Sequence, residues 1–204
     1  FEAFKQIPRD KNVIFSVPSG NLGNLTAGLI AKKSGLPVKK FIAAANANSV
    51  FTEYIESGRF IPRPSVKTYS NAMDVGNPSN LARIDSIYGN LLKSIRDDIF
   101  SISFSDVQTI QAIKELKEKY NYLIDPHGAV GYLAFDKYAK TQDDFGVILE
   151  TAHPAKFGDV IELNTGYKIE MPLRLADYLK DKKKSIKMDT QYNSLKSFLL
   201  SKKK

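Results

Sequence analysis

Residues 19–24, Ser-Gly-Asn-Leu-Gly-Asn, set two glycines and three small polar side chains between the apolar run 13–17 and an apolar-periodic stretch. That pattern suits the binding of an anion. Glycines at 20 and 23 can take backbone angles closed to other residues and leave no side chain in the way, so successive N–H groups can converge on a phosphate. The helix that follows adds its unpaired N–H groups and the positive end of its dipole.

What the loop lacks narrows the ligand. A dinucleotide fingerprint needs Gly-x-Gly-x-x-Gly and an acidic residue about twenty positions on. Here the glycines fall at 20, 23 and 28, and residues 43–46 are Ala-Ala-Ala-Asn, with no carboxylate. A nucleoside-triphosphate loop needs Gly-Lys followed by Ser or Thr, whereas Leu29 and Ile30 follow Gly28. A small phosphate-bearing ligand fits better, held by backbone and by Ser19, Asn21 and Asn24. A polar strand-to-helix turn without a ligand stays open at this point.

Other chemistries find fewer parts. The chain has no cysteine, so a thiolate nucleophile, a thiolate metal site and a disulfide framework are excluded. The two histidines, His127 and His153, lie in Asp-Pro-His-Gly and Thr-Ala-His-Pro-Ala-Lys. No His-Glu-x-x-His helix and no Gly-x-Ser-x-Gly elbow accompanies them, so neither a metal site nor a serine hydrolase is indicated. The ordinary reading of either histidine is a buried residue hydrogen-bonded at a helix start.

The elements that must position these residues alternate. A strand at 13–17 feeds a helix at about 23–34, and a strand at about 40–45 feeds a helix at 49–57 that stops at Gly58. This order predicts an α/β fold with an open, mostly parallel sheet and helices on both faces. Residues 59–80 carry Pro62, Pro64 and Pro78 and read as a long connection, of a kind that is often functional. A helix at about 79–89 follows. Ser105 and Gln108 form a capping-box signature ahead of a helix at 106–120. After Asp125-Pro126-His127-Gly128 the pattern predicts a helix at about 128–139, then a strand at 146–151 ending at Thr151. Ligands of open α/β sheets sit beyond the carboxyl ends of strands, which groups Ser19, Gly20, Asn46 and Thr151 around one crevice.

The net charge of +8 is not spread evenly. Residues 180–204 hold nine lysines against Asp181 and Asp189, so the rest of the chain is nearly neutral. That divides the chain into a domain at 1–179 and a basic tail at 180–204. A lysine tail without arginine argues against nucleic acid as a partner. Apolar runs are too short for a bilayer, and a cytoplasmic location is expected.

Four runs carry a resemblance: 19–28 (Ser-Gly-Asn-Leu-Gly-Asn-Leu-Thr-Ala-Gly), 70–75 (Ser-Asn-Ala-Met-Asp-Val), 125–130 (Asp-Pro-His-Gly-Ala-Val) and 150–157 (Glu-Thr-Ala-His-Pro-Ala-Lys-Phe). In that order and spacing they resemble the threonine synthase family along nearly the whole chain. The resemblance implies a pyridoxal 5'-phosphate lyase of the tryptophan-synthase-β-like fold (fold type II). Its substrate would be O-phosphohomoserine, converted with water to threonine and phosphate in amino-acid biosynthesis. It places the cofactor phosphate on Gly20, Asn21, Leu22, Gly23 and Asn24, and Thr151 against the pyridine nitrogen, where a neutral hydroxyl makes the ring a weaker electron sink than an aspartate would. Asp74, Asn80 and Arg83, in and after the long connection, are candidates to meet the substrate. The aldimine lysine of the family lies upstream of the phosphate-loop strand, so the chain is expected to be a C-terminal fragment, inactive alone. Lys156 has no such role in the family run that contains it. The alternative is a non-catalytic phosphate-ligand or pyridoxal-phosphate binding protein of the same fold.

Overall fold

In the computed structural model, which describes residues 1–138, 140–180, 182 and 184–201, strand β1 is buried from its second residue to its last. Its alternation sets the layers. Val13, Phe15 and Val17 face one apolar cluster, with Leu25, Leu29 and Phe41, while Ile14 faces another, with Ile42, Val130 and Ala134. A strand covered on both faces belongs to a parallel sheet, and its apolar run is continuous for that reason.

The elements run α1 (Glu2–Lys5), β1 (Asn12–Pro18), α2 (Gly23–Lys33), β2 (Val38–Ala45), α3 (Val50–Ser57), α4 (Leu81–Ile87), α5 (Leu92–Asp98) and β3 (Ile99–Ser103). They continue with α6 (Asp106–Tyr120), α7 (Pro126–Lys137), β4 (Asp144–Ile148), α8 (Gly158–Thr165), α9 (Leu173–Lys180) and α10 (Tyr192–Ser201). The four strands form one parallel sheet in the order β3-β2-β1-β4. Helices α2 to α5 supply the first cluster and α7 the second. A third cluster joins α6, α7 and α8 through Ile113, Leu116, Ala129 and Ile161. The expected α/β sheet with helices on both faces is therefore present.

Helix α6 has the anticipated bounds because its start is fixed locally. Ser105 Oγ accepts from the Gln108 N–H, and the Gln108 side chain accepts from the Ser105 N–H at 2.9 Å. Helix α7 begins at Pro126, two residues before its expected start. Asp125 is its N-cap, accepting from the N–H groups of His127 and Gly128, and a proline fits the first helical position, where no intrahelical donor is needed. Its expected last residue, 139, lies outside the described residues.

Two departures are tertiary in origin. Helix α5 runs into β3 with no turn residues between them, and neither was anticipated. Serines break the apolar pattern of β3, yet Ser101 is buried, bonding the Thr52 hydroxyl at 2.8 Å and the Ala43 carbonyl at 3.0 Å. Strand β4 ends at Ile148 and not at Thr151. The last ladder bond runs from the Leu149 N–H to the Ser16 carbonyl at 3.0 Å. The next donor on β1 would be Pro18, which has no N–H.

Contacts divide the chain into one unit at residues 1–169 and a second at 170–204, which carries α9 and α10. The charge-based boundary at 179/180 falls inside the second unit, at the end of α9. Among the described residues no helix is long and apolar enough to cross a membrane.

Candidate functional site

The chain leaves β1 for the face covered by α2 and leaves β4 for the face of α8. Two neighbouring parallel strands whose following segments diverge leave a crevice between their carboxyl ends. The loop 19–22 borders it on one side and residues 149–153 on the other.

The first side is rigid. The Ser19 N–H donates to the Ala44 carbonyl at 2.8 Å, and its hydroxyl donates to the Val17 carbonyl at 2.7 Å. Neither glycine of the loop has positive φ, contrary to expectation. Leu22 does, at φ 61°, and its side chain is buried in the first cluster. Burial of a leucine, about 1.5–3 kcal/mol, offsets the roughly 1–2 kcal/mol cost of a left-handed residue. Gly20 is needed for another reason: a Cβ there would lie 2.6 Å from the Met73 Cα, so its absence admits the short 3-10 turn Asn71–Met73.

Gly23 differs. A Cβ there would meet only Asn80 Nδ2, at 3.8 Å, so no protein atom requires glycine at the first position of α2. No side chain caps this helix and its first turn holds no acid. The first N–H that closes onto the helix is that of Thr26, on the Leu22 carbonyl at 2.9 Å. The N–H groups of Gly23, Asn24 and Leu25 therefore lack intrahelical partners, at the positive end of an 11-residue helix. This donor set fits a phosphate dianion and leaves room for its close approach.

Asn21 ties the loop to the start of α4. Its Oδ1 accepts from the Ser79 N–H at 2.6 Å and the Ser79 hydroxyl at 3.1 Å, and its carbonyl accepts from Asn80 Nδ2 at 2.8 Å. Arg83 in turn donates to Asn80 Oδ1 at 3.1 Å. The structure thus brings Asn80 and Arg83 to the phosphate-type loop. Asn24 is exposed.

Asp74 and Asn46 serve a different purpose. Asn46 is buried and donates to Thr68 Oγ1, Ser70 Oγ and Asp74 Oδ1, while its Oδ1 accepts from Asn48. Asp74 also receives Asn48 Nδ2 at 3.1 Å and both the N–H and the hydroxyl of Thr68. The placement of Asn46 in the crevice is therefore corrected: its carboxamide is consumed in holding the connection 59–80, behind the 71–73 turn.

On the second side, Thr151 is exposed and its hydroxyl has no partner among the described residues. It lines a cleft of ≈ 290 Å³ with Asn71, Ala72, His127, Lys156 and Phe157. Beside it, Tyr122 donates to Glu150; that bond first, then burial, pushes the Tyr122 hydroxyl up to about 12, so at neutral pH it stays a donor that anchors the segment.

Of the two histidines expected to be buried at helix starts, His127 is so placed, whereas His153 is exposed and caps the 3-10 turn Pro154–Phe157 by accepting from the Ala155 N–H. The Nδ1 and the N–H of His127 both contact Asp125 Oδ1, at 2.7 and 2.8 Å, and its Nε2 accepts from the Ala72 N–H at 3.2 Å. The hydrogen-bond pattern assigns the proton to Nδ1. The turn at 71–73 as a wall between the two sides escaped sequence reasoning; its signal was the run 70–75, whose spacing to the loop carries no distance.

Three comparisons bear on this geometry. Residues 128–199 match the family model described as threonine synthase, C-terminal. The threonine synthase of Haemophilus influenzae is 41% identical over 202 residues, covering 98% of this chain and 47% of that protein. Among solved structures, threonine synthase from Escherichia coli superposes with a TM-score of 0.85 at 36% identity, covering 98% of this chain and 46% of that one. A threonine synthase from Brucella melitensis described as bound to PLP gives 0.84 at 27% identity, covering 97% and 48%. In sequence and in fold the chain is threonine-synthase-like along its length, and it spans about half the length of the curated relatives that it matches.

Proposed function

On the premise of that likeness, we propose that the chain is the C-terminal portion of a pyridoxal-phosphate-dependent threonine synthase, a lyase that converts O-phosphohomoserine and water to threonine and phosphate. The observation that carries the reading is the uncapped N-terminus of α2, with left-handed Leu22 and open Gly23, at the carboxyl end of β1, beside the strand β4 whose continuation carries Thr151.

In this reading the backbone from Gly20 to Asn24 binds the cofactor phosphate, and the α2 dipole favours its negative charge. The bound cofactor supplies an electron sink for a carbanion formed beside the substrate nitrogen. Thr151 offers the ring nitrogen a neutral hydroxyl, which orients the ring and does not hold a proton there as a carboxylate would. Asn80 and Arg83 face the same loop, and Arg83 keeps guanidinium donors free for an anionic substrate group. Asp74 acts through the turn that it holds. The 71–73 turn, packed against Gly20, would wall the loop on that side.

Titration of the 204-residue chain with pyridoxal phosphate and with inorganic phosphate, followed by amide shifts, tests the reading. Saturable shifts centred on Gly20, Gly23, Asn24 and Leu25 are expected with both ligands. Amides of the α2 N-terminus that stay unmoved under pyridoxal phosphate would sink it. Borohydride trapping and peptide mapping add a second arm: scattered lysine labelling is expected, and one dominant adduct at Lys156 overturns the view that this lysine has no bond to the cofactor.

A further inference from the structure

The four runs that carry the family likeness lie far apart in sequence, and one side chain touches or braces three of them. His127, in the run 125–130, is 2% exposed and receives the Ala72 N–H of the run 70–75 on Nε2. Its ring lies 4.9 Å from that of Phe157, in the run 150–157, at an interplanar angle of 55°. The turn it bonds reaches the fourth run, because Met73 occupies the space that a side chain on Gly20 would take. The mechanism above gives His127 no step, yet it is a buried polar side chain with both ring nitrogens engaged.

We propose that His127 is a positioning residue for phosphate binding: its Nε2 fixes the Asn71–Met73 turn, and the turn in turn fixes Gly20 and the N–H groups that follow. The path is short. Asp125, fully buried at the N-cap of α7, holds the ring by Nδ1, which leaves Nε2 unprotonated and aimed at Ala72. Ala72 and His127 also line the cleft beside Thr151, so the same bond sets the wall between the phosphate side and the ring side. Without it the 71–73 segment retains the Met73 N–H bond to the Ser70 carbonyl, at 2.9 Å, and the packing of Met73 in the second cluster with Val130 and Ala134, but loses the directional bond that sets its backbone against the loop. A loop displaced by a fraction of an ångström keeps its fold and loses convergence of its donors.

This role rests on the phosphate reading of the loop, and two substitutions separate the two. Glutamine places its carboxamide oxygen at the reach of Nε2, whereas asparagine places its amide at the reach of Nδ1. His127→Gln therefore retains an acceptor for Ala72 and loses the Asp125 bond, and His127→Asn does the reverse; both lose the ring against Phe157. Dissociation constants of the full chain for pyridoxal phosphate and for pyridoxal give the readout. H127N is expected to weaken pyridoxal phosphate about tenfold, the scale of one hydrogen bond, with pyridoxal changed less than threefold. H127Q stays within threefold of the parent for both ligands. Equal weakening by the two variants, or none by either, overturns the role while leaving the phosphate site intact. A parent chain that binds pyridoxal phosphate no better than pyridoxal removes the phosphate site and this role together. Gly20→Ala, with His127 unchanged, keeps the proposal testable if H127N does not fold: pressure on Met73 should speed exchange of the Ala72 amide at least tenfold, and an unchanged rate contradicts the coupling.

Discussion

The carboxyl ends of β1 and β4 are neighbours in one sheet and are built in opposite ways. At the end of β1 the loop is tied at successive residues: Ser19 bonds Ala44 and Val17, Leu22 is sunk in the core, and Asn21 is clamped by Ser79 and Asn80. At the end of β4 the strand stops for want of a donor on Pro18 and Thr151 stands in an open cleft, and even near the start of this edge strand Phe145 is 38% exposed. A central strand can hold a loop to the tolerance that an anion cradle needs, since both of its faces are packed. An edge strand can only present a side chain, and its precision must come from what packs next to it.

That contrast predicts the largest difference in stability between two phenylalanines. Phe41, on the other central strand β2, is 2% exposed in the first cluster and stacks on Phe15 of β1 at 6.0 Å, so Phe41→Ala should cost about 3–5 kcal/mol, whereas Phe145→Ala on the edge strand β4 should cost less than about 1 kcal/mol. Denaturant melts of the two variants check this, and similar costs would erase the distinction between the strands.

The two loop glycines sharpen it further. Gly20→Ala drives a methyl to 2.6 Å from the Met73 Cα, so stability should fall by about 1–3 kcal/mol together with affinity for pyridoxal phosphate. Gly23→Ala meets open space at a helix start, so stability should stay within about 0.5 kcal/mol or rise, while phosphate affinity drops because the methyl stands where the anion approaches. Thermal melts paired with ligand titration separate the cases; a G23A chain that binds as well as its parent would show that nothing approaches that glycine.

The smallest effect concerns the β4 side. The folded chain raises the Tyr122 hydroxyl from 10.0 to about 12, chiefly through its bond to Glu150. A raised folded value stabilises the protonated form, so this contribution is complete below pH 10 and is lost as pH rises through about 12. Ultraviolet titration, with Tyr122→Phe as the difference reference, should show this late phenolate, and Glu150→Gln should bring it back toward 10. A Tyr122 that ionises near 10 in the parent chain would mean that the residues before Thr151 are not anchored.

Much of this was legible locally. A capping box defines α6 through bonds between residues three apart, and a run of apolar residues defines β1 because burial on both faces allows no polar alternation. The composition of the loop 19–24 suited an anion, which is the role proposed for it. What escaped was everything set by a partner distant in sequence: β3, whose serines read as polar until Thr52 and Ala43 supply their bonds; the early end of β4, decided by a proline on the neighbouring strand; and Asn46, whose position after a strand suggested the crevice until Thr68, Ser70 and Asp74 claimed its amide.

The sequence by itself determined the alternation of strands and helices, the phosphate-type loop and the family likeness, because period, glycine spacing and motif order are local quantities. Tertiary structure alone decided why each glycine is there and what His127 holds, because the atoms that answer, Met73 for Gly20 and Ala72 for His127, lie more than fifty residues away and meet them only once the sheet has formed.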